Sequence, residues 1–213
     1  MISTLKIPTL RFLMAAAFIA LPVAAFAHPV IIITYGVDFS FSPSGLRGFH
    51  EVWHFDRVHS QQILQMFDAN QNGRIDPDEL PALKRGYFDD LDKYNYFTSI
   101  VLNGKALPTK GVTDFSAAFE NNSMVYRFFV PLEVPATSAG QELDVTVWDP
   151  TYYTDLNLDA GNALRMQKPS AIHATISMAN DHRHFWQIAP DVVLVKALPF
   201  YLKMIVVKFR SGA

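Results

Sequence analysis

Asp68, Asn70, Asn72, Asp76 and Glu79 stand at positions 1, 3, 5, 9 and 12 of the twelve residues Asp68–Glu79. All five carry oxygen on a short side chain. A hard divalent cation takes six to eight oxygens at roughly 2.3–2.6 Å, in a cage flexible enough to fit it. Arg74, at position 7, is expected to give only its backbone carbonyl, which leaves its charge outside the site. Glu79 has the reach to close the shell with both carboxylate oxygens. Gly73 occupies position 6, where the chain must turn sharply, and Ile75 at position 8 is the apolar residue that anchors the loop. The pattern predicts a calcium site.

The flanks must be helical for such a loop to be held. Before it, Val58, Ile63, Leu64 and Phe67 keep helical spacing. After it, Asp76-Pro77-Asp78-Glu79 reads as a helix start, with Asp76 as N-cap, proline in the first position and glutamate three residues on. Leu80, Leu83, Tyr87 and Leu91 continue an apolar face. The competing reading is an ordinary polar turn, since Asp, Asn and Gly dominate those too. Agreement at this many positions between two helical patterns favours an EF-hand, a helix–loop–helix calcium motif. Asp155-Leu156-Asn157-Leu158-Asp159 opens like a second loop, but Ala160 and Met166 fall where glycine and glutamate are needed. That segment is rejected as a cation site.

Histidines are the other chemical resource. His50 and His54 share one face of an expected strand, as do His182 and His184. Neutral imidazole suits nickel, cobalt, zinc and copper. His28 would become the new amino terminus if a leader is removed, and could then offer amine and ring nitrogen together. A copper enzyme built on His28 is the least favoured reading. The chain has no cysteine, which excludes thiolate sites and cysteine catalysis. No nucleophile–base arrangement stands out, so a binding protein is expected rather than an enzyme.

Residues 1–27 have the form of a secretory leader. Lys6 and Arg11 precede an apolar run from Phe12 to Ala24, and Ala25-Phe26-Ala27 is a small-x-small cleavage triplet. Cleavage would leave residues 28–213 in a bacterial periplasm. The net charge is −2 and no basic stripe or nucleic-acid module is present, so nucleic acid is not an expected partner. Val192 to Phe209 is apolar, but Lys196, Pro199 and Lys203 interrupt it. It is expected to form a buried strand pair rather than a membrane span.

The remainder reads as strands. Val30 to Phe41 is rich in β-branched and aromatic residues, Pro43-Ser44-Gly45 turns the chain, and Leu46 to Phe55 returns. Tyr96 to Leu102 ends at Asn103-Gly104, a strong hairpin signal. Val112 to Phe119 and Met124 to Val130 flank a second turn, and 143–148, 172–178 and 204–209 are further short strands. The expected fold is α+β: one mainly antiparallel β-sandwich or open barrel at 28–213, with the helix–loop–helix inserted at about 57–93.

Trp53-His54-Phe55-Asp56, the loop at 68–79, Tyr94-Asn95-Tyr96-Phe97 with Asn103-Gly104, and Asp149-Pro150-Thr151-Tyr152-Tyr153 follow one another in order. In this the chain resembles bacterial periplasmic proteins grouped as domain of unknown function 1007, described as the periplasmic component of an uncharacterised ABC-type transport system. The resemblance runs from the cleavage site to about residue 155. It implies a link to membrane-embedded transporters of nickel, cobalt or zinc. Members typically begin His-Pro-His, whereas this chain has His28-Pro29-Val30. The expectation is therefore a periplasmic metal-binding accessory of transition-metal transport. The alternative is a calcium-stabilised structural or adaptor module.

Overall fold

The computed structural model describes residues 31–151, 153–159, 164–181 and 202–212. The leader, His28, His182, His184 and residues 192–201 lie outside the described residues.

The first long hairpin is β1 (Ile31–Ser42) and β2 (Gly45–Phe55), paired antiparallel from Ile33↔Phe55 to Ser42↔Gly45. Their alternation buries Tyr35, Val37 and Phe39 on one strand and Phe49, Glu51 and Trp53 on the other. Gly48 is needed where it stands: its φ is +141°, and a Cβ there would lie 2.3 Å from the Val130 carbonyl oxygen. After β2 come helix α1 (Arg57–Phe67), helix α2 (Leu80–Tyr87) and a 3₁₀ segment, Asp89–Phe97. The chain then enters β3 (Thr98–Leu102), β4 (Lys105–Leu107), β5 (Thr113–Glu120), β6 (Ser123–Pro135) and β7 (Gln141–Val147). The last strands are β8 (Thr154–Leu158), β9 (Leu164–Gln167), β10 (Ile172–Asp181) and β11 (Leu202–Ser211).

The strands make two sheets packed as a sandwich. The first has the order β5-β6-β2-β1-β8, with β9 also on β1; the second is β10-β11-β7-β3-β4. Neither closes into a barrel. Between them lies one core that joins Tyr35, Phe39, Trp53 and Phe128 of the first sheet to Ile100, Val145, Ile205 and Val207 of the second. Trp53 is the largest fully buried side chain. It stacks on Phe97 (centroids 6.0 Å apart) and meets Phe128 edge-on.

Both expected short hairpins are present. Asn103 and Gly104 take positive φ between β3 and β4, and Asn121 and Asn122 do so between β5 and β6. The sandwich is mainly antiparallel, as expected, and β8 and β9 are added parallel along the outer edge of β1. The segment rejected as a second calcium loop supplies those two strands. Strand β3 begins at Thr98, not Tyr96, since Asn95, Tyr96 and Phe97 all hold φ between 52° and 58°. Helix α2 begins at Leu80, although the backbone already coils from Asp76, whose carbonyl accepts the Leu80 N–H. Val58 does not join the apolar face of α1; it is 70% exposed.

The helix pair is one of the links between the two sheets, leaving β2 of one and entering β3 of the other. Its root is tightly bonded. Asp56 caps α1, accepting the His59 N–H at 2.9 Å, and its other oxygen accepts the Ile32 N–H. Buried Ser60 donates to the Asp56 carbonyl and accepts the Met124 N–H at 2.8 Å, which fixes α1 to the start of β6. Ile63 and Leu83 are fully buried beneath the pair, and Ile75 of the intervening loop packs half-buried against the same core.

Candidate cation loop and the histidines

The loop folds by satisfying its own backbone with its acids. The Asp68 carboxylate accepts the N–H groups of Asn72 and Gly73, at 3.0 and 2.8 Å. Gly73 takes φ +83°, the left-handed turn that position 6 requires. Glu79 is only 6% exposed. Its Oε1 accepts the Ala69 N–H at 2.8 Å and its Oε2 the Asp76 N–H at 2.9 Å, so one carboxylate ties the two ends of the loop together. The second bond has the glutamate reach back three residues to the Asp76 amide, where the backbone begins to coil ahead of α2.

The remaining donors meet at Asp76. Its Oδ2 accepts from the side-chain amides of Asn70 (3.0 Å) and Asn72 (2.6 Å), while its Oδ1 pairs with the Arg74 guanidinium at 2.7 Å. The two amides and then Arg74 hold the Asp76 carboxyl below the usual range. Arg74 was expected to keep its charge clear of the site. Instead it sits on a prospective ligand and competes with a cation for it.

Does this set fit calcium? The chemistry fits, since every side chain named except Arg74 offers oxygen, and Asp68, Asn70, Asn72 and Asp76 are bonded to one another within the loop. The arrangement is not a ready-made cage. Among the described residues no group of three or more histidine, cysteine, aspartate or glutamate side chains surrounds one point. Binding would require Asn70 and Asn72 to turn their amide oxygens inward and release Asp76, and Glu79 to share its carboxylate with the ion.

The histidines do not assemble among the described residues. His50 and His54 do share the exposed outer face of β2, as expected. Four residues along a strand, however, separates their Cα atoms by roughly 13 Å, too far to share one ion. His50 lies across from Asp38 and against the ring of Phe129 (4.7 Å), and His54 lies across from Thr34. His28, His182 and His184 lie outside the described residues. His59, which the sequence did not single out from its neighbours, is buried between Phe55 and Tyr87; burial lowers its basicity, and its Nε2 has no partner among the described residues.

Among the buried acids that the sequence does not single out is Glu51, which lies between the aromatic residues of β2. Glu51 is fully buried in the sandwich, and burial pushes its carboxyl up to about 7, partly offset by hydrogen bonds from Thr98 and Trp53. The only available signal was a glutamate at an inward position of an alternating strand, between Phe49 and Trp53. Its neighbour Tyr35 is raised as well, by burial and then by Glu51.

No helix among the described residues is long and apolar enough to cross a membrane. The family model described as "Protein of unknown function (DUF1007)" matches residues 13–185. A relative from Spirochaeta aurantia, an uncharacterized 15.5 kDa protein in the trpE 3'region, is 43% identical over 89 residues. The match covers 42% of this chain and 63% of that relative's length.

Proposed function

The chain belongs to the DUF1007 family of proteins of unknown function, and from that premise we propose that it is a metal-binding, non-catalytic protein of the cell envelope whose loop at 68–79 takes calcium. The observation that supports this most directly is Glu79. A single buried carboxylate joins Ala69 to Asp76 across the loop, and the loop lies in the chain connection from β2 to β3. An ion held there would brace that connection. Ligand binding to the native state stabilises it in proportion to occupancy. Calorimetric titration of the purified chain with calcium, alongside thermal melting with and without the ion, tests the proposal. Saturable binding with a raised melting temperature is expected. Absence of both would refute it.

The second reading is an accessory role in nickel, cobalt or zinc transport, with a membrane-embedded transporter as partner. It is favoured by the exposure of His50 opposite Asp38 on the outer face of the first sheet. Since His50 and His54 are too far apart to act together, this reading leans on His28, His182 and His184. Titration of each metal with calcium already saturating separates the two. If none binds tighter than about 10⁻⁵ M, an affinity near −7 kcal/mol, the transport role fails and a calcium-braced adaptor remains.

A further inference from the structure

At one end of the second sheet, β7, β10 and β11 frame a concavity of about 660 Å³. Its walls carry Lys168, Lys208, Arg210 and His173 against a single carboxylate, Glu142. In a chain of net charge −2, this inverts the average locally. The register explains the concentration. Lys208 and Arg210 are two apart on β11 and share its outer face; Thr175 lies across from Lys208, and His173 across from Arg210. Lys208 is paired with Glu142 at 2.8 Å on the neighbouring strand. Lys168 donates to the Ile172 carbonyl at 3.0 Å, which positions its ammonium without neutralising it. Among the described residues no carboxylate pairs with Lys168 or Arg210.

The strands and turns that form the walls are tied together by hydrogen bonds. Asn103 exchanges hydrogen bonds with the Glu142 backbone through its own N–H and its side-chain oxygen, and its amide donates to Gln141. The Gly212 N–H bonds the Ala171 carbonyl, and the Ser211 N–H bonds that of Thr137, closing the end of β11 onto both neighbouring turns.

We propose that this concavity binds a small multivalent oxyanion, with Arg210 and Lys168 as its principal contacts and Lys208 and His173 beside them. A guanidinium offers two parallel donors to carboxylate or phosphate, which an ammonium alone cannot. Residues two apart on a strand separate Arg210 and Lys208 by roughly 7 Å, so a ligand carrying two or more oxyanion groups spans the site better than a single one. The volume is in the range that holds a small molecule. The site is separate from the loop at 68–79 and does not rest on its occupancy.

Calcium-free titration of the purified chain with citrate, inorganic phosphate and acetate, followed by amide chemical shifts, tests this. Saturable citrate binding at least about tenfold tighter than acetate is expected, with shifts centred on 139–142, 173–175 and 208–210. Arg210→Gln and Lys168→Gln should each weaken citrate by about tenfold at unchanged melting temperature, while Lys93→Gln, on an exposed residue elsewhere, leaves it unaltered. Flotation with phosphatidylglycerol vesicles distinguishes sources of the same chemistry. Flotation that is competed by citrate and lost in Arg210→Gln identifies a lipid headgroup, and citrate binding without flotation identifies a soluble anion. Absence of saturable binding to any of these probes, or binding indifferent to Arg210→Gln and Lys168→Gln, overturns the proposal.

Discussion

Glu51 of the first sheet accepts the hydroxyl of Thr98, the first residue of β3 in the second sheet, at 2.8 Å. Its other oxygen accepts the indole N–H of Trp53, also at 2.8 Å. Both donors are neutral. An ionised carboxylate at full burial without a cation is expensive, and this one responds by holding its proton to about 7. Since Thr98 is where the helical crossover ends, the bond staples the base of that crossover.

The folded state therefore binds the Glu51 proton more tightly than the unfolded chain, whose carboxyl sits near 4.5. The stability that this proton contributes is full below pH 4.5, declines as pH rises toward 7 and is gone above it. The total decline is about 3 kcal/mol. Glu51→Gln should remove this slope. The amide can accept from Trp53 and donate to the Thr98 oxygen, whose own hydrogen turns to the Tyr96 carbonyl 3.0 Å away. Urea melts of both proteins from pH 5 to pH 8 check it; parallel pH profiles would contradict the assignment.

Glu79→Gln should lower the melting temperature with and without calcium, because the carboxylate already bonds Ala69 and Asp76. Losing charge-assisted bonds costs about 1.5–3 kcal/mol. The calcium-dependent rise in melting temperature should be largely abolished as well. A variant that gains as much from calcium as the parent would show that the ion, if bound, does not use Glu79.

Arg74→Gln should strengthen calcium binding. It frees Asp76 from a cation 2.7 Å away while keeping the position-7 carbonyl. The pair is solvent-exposed on the arginine side, so the gain is a few-fold and shrinks in high salt. The parent loop, with only three carboxylates among its ligands, is expected in the range of roughly 10⁻⁵–10⁻³ M. Calorimetry on both chains at two salt concentrations measures this; nanomolar binding by the parent would mean ligands from outside the loop.

Ser60→Ala leaves the buried Met124 N–H without its acceptor and should destabilise by about 1–3 kcal/mol. Calcium affinity should stay within about twofold, since Ser60 is in the first turn of α1 and the loop follows its last. Denaturant melts and calorimetry on one preparation give both numbers.

Nickel or zinc, if bound by imidazole, should dissociate on acidification as the ring takes up a proton. His50→Ala should have little effect alone, because no second histidine among the described residues reaches it. A large loss of affinity in that variant would instead make His50 with Asp38 the core of the site.

Local order was legible because its causes are local. The loop at 68–79 could be read from side-chain oxygens at fixed spacing and a glycine where φ must be positive. The hairpins at Asn103-Gly104 and Asn121-Asn122 followed from residues that tolerate left-handed backbone. β-Branched and aromatic residues on either side of Pro43-Ser44-Gly45 marked β1 and β2 as a hairpin, and counting strands against helices was enough for an α+β sandwich. What the amino-acid order left open depends on partners distant along the chain. The parallel addition of β8 and β9 to β1 joins residues more than a hundred positions apart and has no turn to announce it. Arg74 and Asp76 could be seen to be near neighbours, but only the folded loop aims the guanidinium at the carboxylate. His50 and His54 could be placed on one face, while the extension of the strand decides that they stand apart. Glu51 reads as an ordinary strand glutamate until the second sheet closes over it, because burial belongs to the packed sandwich and not to the residue.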